Sequence, residues 1–203
     1  MASQNGNMNN KTIEYYNKKA EEYSTDTFSA NVSDLRMKFL KHLEPGDYIL
    51  DFGCGSGRDT KAFLEAGYCM DAIDGSEELC RIASKNTGIS VKCMRFQDLN
   101  VREQYNGIWA CASLLHLPRE ELAAVFVKMA TALKTGGYLY VSFKYGNFEG
   151  ERNDRYFLDL TKDSLKQLTD RCGNLVIEET WITGDVRPER AEEKWLNAIL
   201  KKS

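Results

Sequence analysis

The spacing of apolar positions changes several times along the chain, and each change marks an element. Ile13, Tyr16, Ala20 and Tyr23 recur at helical spacing, as do Val32, Leu35, Phe39 and Leu43, which predicts two N-terminal helices. Pro45-Gly46 makes a turn, and the apolar run from Tyr48 to Phe52 has the length of a buried strand. Helical spacing returns at Lys61 to Ala66 and stops at Gly67, before strand-like Tyr68 to Ile73. Ser76 is placed to cap a helix carrying Glu77 and Glu78 in its first turn and ending near Gly88. Val91 to Phe96 and Ile108 to Ala112 predict a third and a fourth strand. Leu122, Val125, Phe126, Met129 and Leu133 mark an amphipathic helix, and Gly136-Gly137 turns into strand Tyr138 to Phe143. Thr161 caps a helix with Leu165, Leu168 and Cys172 on one face; strands at Leu175 to Trp181 and Lys194 to Leu200 follow.

Strand and helix alternate from residue 48 to residue 143, a pattern that demands parallel strands with crossover helices on both faces. The expected architecture is a three-layer α/β sandwich of the doubly wound class. The last two strands have no helix between them and can pair antiparallel. At 203 residues one domain is expected, spanning 11–203, with residues 11–44 as a helical cap. Residues 1–10 are polar and expected to be structureless, with those ahead of Met8 read as an addition.

Composition narrows the class. Net charge is -3 and basic residues are interleaved with acidic ones, as in Lys18-Lys19-Ala20-Glu21-Glu22, so no concentrated phosphate-binding face is expected. No apolar run is long enough to span a bilayer and no secretory apolar segment opens the chain, so a cytoplasmic location is expected. None of the six cysteines forms a CxxC pair, which argues against zinc and redox motifs. Cys69, Cys93 and Cys111 lie in strand-like runs and are expected to be buried free thiols.

The candidate chemistry centres on Asp51-Phe52-Gly53-Cys54-Gly55-Ser56-Gly57, which closes a strand and opens a helix. Ligands of open parallel sheets bind beyond the carboxyl ends of the strands, where glycines let backbone approach a ligand. The spacing G-x-G-x-G, followed by Arg58, does not fit the G-x-G-x-x-G of nicotinamide binding. No Gly-Lys-Ser/Thr of a P-loop is present, and Ser56 has Cys54 where a hydrolase elbow needs glycine. Asp74 ends the second strand, where a carboxylate can accept both ribose hydroxyls, and Asp98 follows the third, within reach of an adenine amino group.

These residues resemble the class I S-adenosylmethionine-dependent methyltransferases. Residues 51–57 are similar to the family's first motif, Asp74 to its ribose-binding acid and Asp98 to its adenine-proximal acid. Ala110 to Leu117 and Lys134 to Leu139 resemble the fourth-strand motif and the turn into the fifth. The resemblance covers about residues 12 to 202 and is nearest the small bacterial branch that includes tellurite-resistance-type enzymes. It implies a seven-stranded, mostly parallel Rossmann-like sheet with the last strand antiparallel, and S-adenosylmethionine as cofactor. The cofactor-binding set it implies is Tyr16, Tyr23, Asp51, Gly53, Cys54, Gly55, Gly57, Arg58, Asp74, Gly75, Ser76, Gln97, Asp98, Ala112 and Ser113. Tyr16 and Tyr23, read as one face of the first helix, meet the methionine end or pack in the core. Arg58 meets the cofactor carboxylate or is solvated.

Methyl transfer needs a general base only for a protonated acceptor. His116, after the fourth strand, is the candidate base or acceptor contact; the competing reading is a loop histidine bonded to backbone. His42, at a helix end, is read as structural. Lys144, Tyr145, Phe148, Arg152, Arg155, Tyr156, Phe157, Arg187 and Trp195 mix rings with cations after the fifth strand and near the closing hairpin, a mixture suited to an anionic or aromatic small molecule. Lys144, Tyr145, Arg155, Tyr156, Arg187 and Trp195 are the acceptor-binding candidates. The leading expectation is a small-molecule methyltransferase, monomeric or homodimeric, without a resident metal. The alternatives are a tRNA methyltransferase and a non-catalytic cofactor-binding module. The exocyclic-amine chemistry of nucleic-acid enzymes is disfavoured, because Ala112-Ser113-Leu114-Leu115 stands where their Asp/Asn-Pro-Pro-aromatic motif falls.

Overall fold

The computed structural model describes residues 2–187, 190 and 192–203. Three helices open the chain: α1 (Ala2–Lys18), α2 (Ala20–Phe28) and α3 (Ser33–Leu40). Then follow β1 (Tyr48–Phe52), α4 (Arg58–Glu65), β2 (Cys69–Asp74), α5 (Glu77–Thr87), β3 (Lys92–Cys93), β4 (Tyr105–Ala110), α6 (Arg119–Ala132) and β5 (Leu133–Lys144). A hairpin, β6 (Glu149–Arg152) and β7 (Arg155–Leu158), precedes α7 (Lys162–Asp170), β8 (Leu175–Gly184) and β9 (Lys194–Lys202). The main sheet has the order β3-β2-β1-β4-β5-β9-β8. Its strands are parallel except β9, which runs antiparallel to both neighbours. The expected seven-stranded, mostly parallel Rossmann-like sheet with an antiparallel last strand is thus what the chain forms.

The two faces of the sheet follow from the two-residue repeat of a strand. Leu50 and Phe52 of β1, Ile108 and Ala110 of β4, and Leu139, Val141 and Phe143 of β5 pack into one core with Leu122, Val125, Phe126 and Met129 of α6 and Leu165 of α7. The residues between them, Ile49, Trp109 and Tyr140, pack on the opposite face with Phe39 of α3 and Phe63 of α4. Trp109 and Tyr140 stack there with ring centroids 4.0 Å apart. Helices on both faces make the three layers. Gly107 of β4 lets α3 come close, since a Cβ there would stand 2.8 Å from both Leu43 and Phe39.

Several expectations need correcting. The helical cap holds three helices rather than two, and it parts Tyr16 (α1) from Tyr23 (α2). The backbone of α1 also runs back to Ala2 through the polar segment 1–10, as each further turn gains a hydrogen bond once a helix is nucleated. The third strand shrinks to Lys92–Cys93 and is followed by a 3-10 turn, Phe96–Asp98. Cys69 and Cys93 are exposed rather than buried: Cys69 opens β2 and Cys93 lies on the edge strand β3. The β6–β7 hairpin has no counterpart in the periodicity. The predicted caps hold: Ser76 accepts from the Leu79 N–H, and Thr161 forms a reciprocal capping box with Ser164.

Candidate active site: two cavities that share a wall

The carboxyl ends of β1, β2 and β4 converge beneath α1 and α2 and leave two adjoining cavities. The inner one is lined by Gly53, Gly55, Asp74, Gly75, Ser76, Met94, Phe96, Gln97 and Ser113, with Thr12, Ile13 and Leu79 closing it. The outer one is lined by Arg58, Leu115, Ser142, Lys144, Arg155, Phe157, Asp185, Arg187, Trp195 and Asn197, among others. Tyr16, Tyr23, Cys111, Ala112 and His116 line both.

The glycine loop is shaped by its neighbours. Gly53, Gly55 and Gly57 all have positive φ, at 89°, 56° and 84°, a region open to glycine at little cost. At Gly53 an added Cβ would also stand 2.4 Å from the Ser113 Cβ. Ser113 in turn donates to the Phe52 carbonyl at 2.6 Å, locking the β1 and β4 ends together. Asp74 accepts from the N–H groups of Gly55 and Ser76, both at 2.9 Å, and holds the loop against the end of β2. Burial pushes its carboxyl above the usual range against these bonds. Ala112 bends the chain at the end of β4 with φ 53°, a strained left-handed conformation for a residue with a side chain, and its N–H is held by Ser142 at 2.8 Å.

Not every candidate reaches the inner cavity. Asp98 is exposed and outside it, because the 3-10 turn directs its neighbours Phe96 and Gln97 inward. Asp51 and Cys54 lie beneath the loop around a separate small void, which also touches Gly53, Gly55 and Arg58. Asp51 accepts from the Thr60 hydroxyl at 2.6 Å, and burial pushes its carboxyl up to about 7. Gly57 caps α4 and lines neither cavity; a Cβ there would meet Thr87 of α5 at 2.7 Å. Arg58 is committed to Asp59, with bonds of 3.0 and 2.6 Å, although its side chain borders the outer cavity. Asp59 also accepts from Arg36 at 2.7 Å and from the Trp109 indole at 3.0 Å, so α3, α4 and β4 meet on one buried carboxylate.

His116 uses both ring nitrogens. A carbonyl can only accept, so Nδ1 carries the hydrogen and donates to the Tyr156 carbonyl at 2.7 Å. Nε2 therefore accepts, and the Tyr16 hydroxyl donates to it at 2.8 Å. Arg155 donates to the same Tyr16 oxygen at 3.1 Å. Burial, with the positive charges of Arg155 and Lys144 behind it, pulls the imidazole down to about 4 despite the carbonyl bond. His116 is thus neutral at pH 7, and His42 stacks on Tyr138 at 4.4 Å, away from the cavities.

The acceptor candidates divide. Lys144, Arg155, Arg187 and Trp195 line the outer cavity. Tyr145 is 43% exposed and borders only a side cavity, which opens beside Lys144 and Arg155. Tyr156 turns its ring into the core and its hydroxyl to Glu149 at 2.8 Å, so its backbone carbonyl alone serves the site. Arg187 is neutralised by Asp185, at 2.8 and 2.6 Å, and Asp185 also takes the Trp195 indole N–H at 3.0 Å. Lys144 pairs with Glu193. Sequence reasoning missed Met94, Phe96, Asn197 and the 183–185 segment, which belong to no quoted motif, and Cys111, which lies within the fourth-strand motif but reads as a buried thiol. Among the described residues no cluster of His, Cys, Asp and Glu could hold a metal, and no helix is long and apolar enough to cross a membrane.

Comparison with known proteins agrees with this geometry. Residues 49–137 match the family described as a methyltransferase domain. The probable S-adenosyl-L-methionine-dependent methyltransferase TehB of Haemophilus influenzae is 26% identical over 136 residues, 63% of this chain and 46% of its own length. The chain thus spans about half the length of this curated relative. The Burkholderia thailandensis 1,6-didemethyltoxoflavin-N1-methyltransferase, solved with 1,6-didemethyltoxoflavin and S-adenosylhomocysteine, shares the fold with a TM-score of 0.76 at 18% identity, over 96% of this chain and 87% of its own. Magnesium protoporphyrin IX methyltransferase from Synechocystis, solved with S-adenosylmethionine, does so with a TM-score of 0.74 at 18% identity, over 95% and 97%. Residues 49–137 thus carry the likeness to a methyltransferase domain, and the fold is that of solved proteins that bind S-adenosylmethionine or S-adenosylhomocysteine.

The inner cavity suits that cofactor on its own chemistry. Gln97 donates its amide N–H to the Glu121 carboxylate, which fixes the amide orientation and leaves the buried Oε1 without a partner. A buried acceptor left open costs about 1–3 kcal/mol, and an adenine amino group is the kind of donor that would satisfy it. Phe96 and Met94 form an apolar wall of this cavity that could take a base, and Asp74 lines it with a carboxylate that could accept from ribose hydroxyls.

Proposed function

We propose that the chain transfers the methyl group of S-adenosylmethionine to a small molecule held in the outer cavity. The observation that carries this reading is the shared wall: Tyr16, Tyr23, Cys111, Ala112 and His116 border both cavities, so a cofactor in one faces an acceptor in the other. When bound, S-adenosylmethionine supplies a methyl on a sulfonium, which already has a good leaving group. The protein's work is then alignment, which can supply roughly 7–11 kcal/mol of the barrier in favourable cases. Asp74, Gln97 and the glycine loop hold the nucleoside part, and Tyr16 and Tyr23, with ring centroids 5.1 Å apart, frame the passage.

The outer cavity has a volume of about 150 Å³. An engineered cavity of about that size in another protein holds benzene, so a ring-sized acceptor is in scale. The solved proteins of the same fold named as methyltransferases of 1,6-didemethyltoxoflavin and of magnesium protoporphyrin IX are consistent with a small-molecule acceptor. We assign His116 to holding the Tyr16 hydroxyl in position rather than to direct proton removal, because both its nitrogens are bonded and a base near 4 has little driving force at pH 7. The test is incubation with methyl-labelled S-adenosylmethionine and, in parallel, a protein-free small-molecule extract or total RNA. Label in the small-molecule fraction supports the reading, and label confined to RNA overturns it.

A further inference from the structure

Five lysine and arginine side chains border the outer cavity, and Arg58, Arg187 and Lys144 are neutralised by carboxylates. Arg58 has Asp59, Arg187 has Asp185, and Lys144 has Glu193. Arg155 has no carboxylate in ion-pair reach among the described residues. Its hydrogen bond goes to the neutral Tyr16 hydroxyl, and its Nε is buried without a partner. The guanidinium lies over the rings of Tyr15 at 4.7 Å and Phe157 at 5.1 Å. Rings over its faces leave its edge, where the N–H donors project, as the part open to a ligand. Arg155 also borders the side cavity, so it stands between that opening and the shared wall.

A half-buried cation without a counter-charge carries a desolvation cost, and a site that keeps one recovers part of it when an anion arrives. We propose that the acceptor is an aromatic monocarboxylate, its carboxylate taken edge-on by Arg155 and its ring set among Tyr16, Phe157 and Trp195. A carboxylate matches the planar pair of donors that the Arg155 guanidinium presents. A phosphate dianion would bring one charge more than Arg155 neutralises. Arg187, already paired with Asp185, takes no part in holding the anion. This inference rests on the proposed function for the placing of the acceptor, but not for the anion subsite itself.

The test uses the whole chain and matched probe pairs: benzoate with benzamide, and larger aromatic carboxylates with their amides. S-adenosylhomocysteine binding is measured first by calorimetry. Each pair is then titrated into saturated wild type, Arg155→Gln and Arg155→Lys, with phenyl phosphate alongside. The expected result is a preference for carboxylate over amide of about tenfold or more in wild type, the scale of a hydrogen-bonded charge pair. It disappears in Arg155→Gln and is partly kept in Arg155→Lys. Equal binding of carboxylates and amides across the panel overturns the proposal, as does a preference that survives Arg155→Gln or a stronger response to phenyl phosphate. Loss of S-adenosylhomocysteine binding in wild type would overturn the methyltransferase reading instead, and the pairs would then be read on the unloaded protein.

Discussion

The Tyr16 hydroxyl donates to His116 Nε2 at 2.8 Å, joining the first helix to the loop after β4 across the wall of both cavities. The bond requires the Nδ1–H tautomer, which the Tyr156 carbonyl selects. Nitrogen NMR of imidazole-labelled protein should show His116 neutral and Nδ1-protonated from pH 7 down to pH 5. An ordinary transition near 6.5 would refute the arrangement. The sign for stability follows. With the folded value near 4 and the unfolded one at 6.5, stability held at neutral pH is lost as pH falls through that window.

Asp74 fastens the glycine loop through two backbone N–H bonds and faces the inner cavity. Asp74→Ala should weaken S-adenosylhomocysteine binding by about tenfold or more, the scale of hydrogen bonds to a charged group. Calorimetry on both proteins measures it, and unchanged affinity would remove Asp74 from the cofactor site.

Asp51 has the opposite pH behaviour to His116. Its folded value, about 7, lies above the 3.8 of a free carboxyl, so the folded state holds the proton longer and stability falls as pH rises from about 4 to 7. Asp51→Asn should remove this contribution and make the variant relatively more stable at pH 8 than at pH 4.5. Denaturant melts of both proteins at the two pH values test it; parallel pH profiles would contradict it.

Asp59 accepts from Arg36, Arg58 and Trp109 in the core. Asp59→Ala leaves two guanidinium groups without their carboxylate and should cost about 3–5 kcal/mol in urea unfolding. Lys166→Ala, which breaks an exposed pair with Asp170, should change stability by less than about 1 kcal/mol. Similar losses in both would show that the Asp59 network does not stabilise the fold.

Much of the fold could be read from the chain because its strands and crossover helices follow simple periods, and Asp51 to Gly57 fell where a parallel sheet exposes its ends. What could not be read depended on pairing. Arg187 looked like an available cation, yet Asp185 two residues earlier neutralises it. Tyr156 looked like a site ring, yet only its carbonyl is used. Asp98 and Gln97 differ by one position, and only the 3-10 turn decides which faces inward. The hairpin Glu149–Leu158 is short and polar on one side, so its sequence carries little period to detect.

The place of β9 between β5 and β8 sets an order of assembly. During synthesis β8 emerges first, but within the main sheet its partner is β9, so it has nowhere to dock until Lys194–Lys202 has been made. Until then the long edge of β5 is open, a template on which a neighbouring nascent chain could add a strand. Trp195 and Asn197 arrive with β9, so the outer cavity acquires its far wall only when that edge is closed.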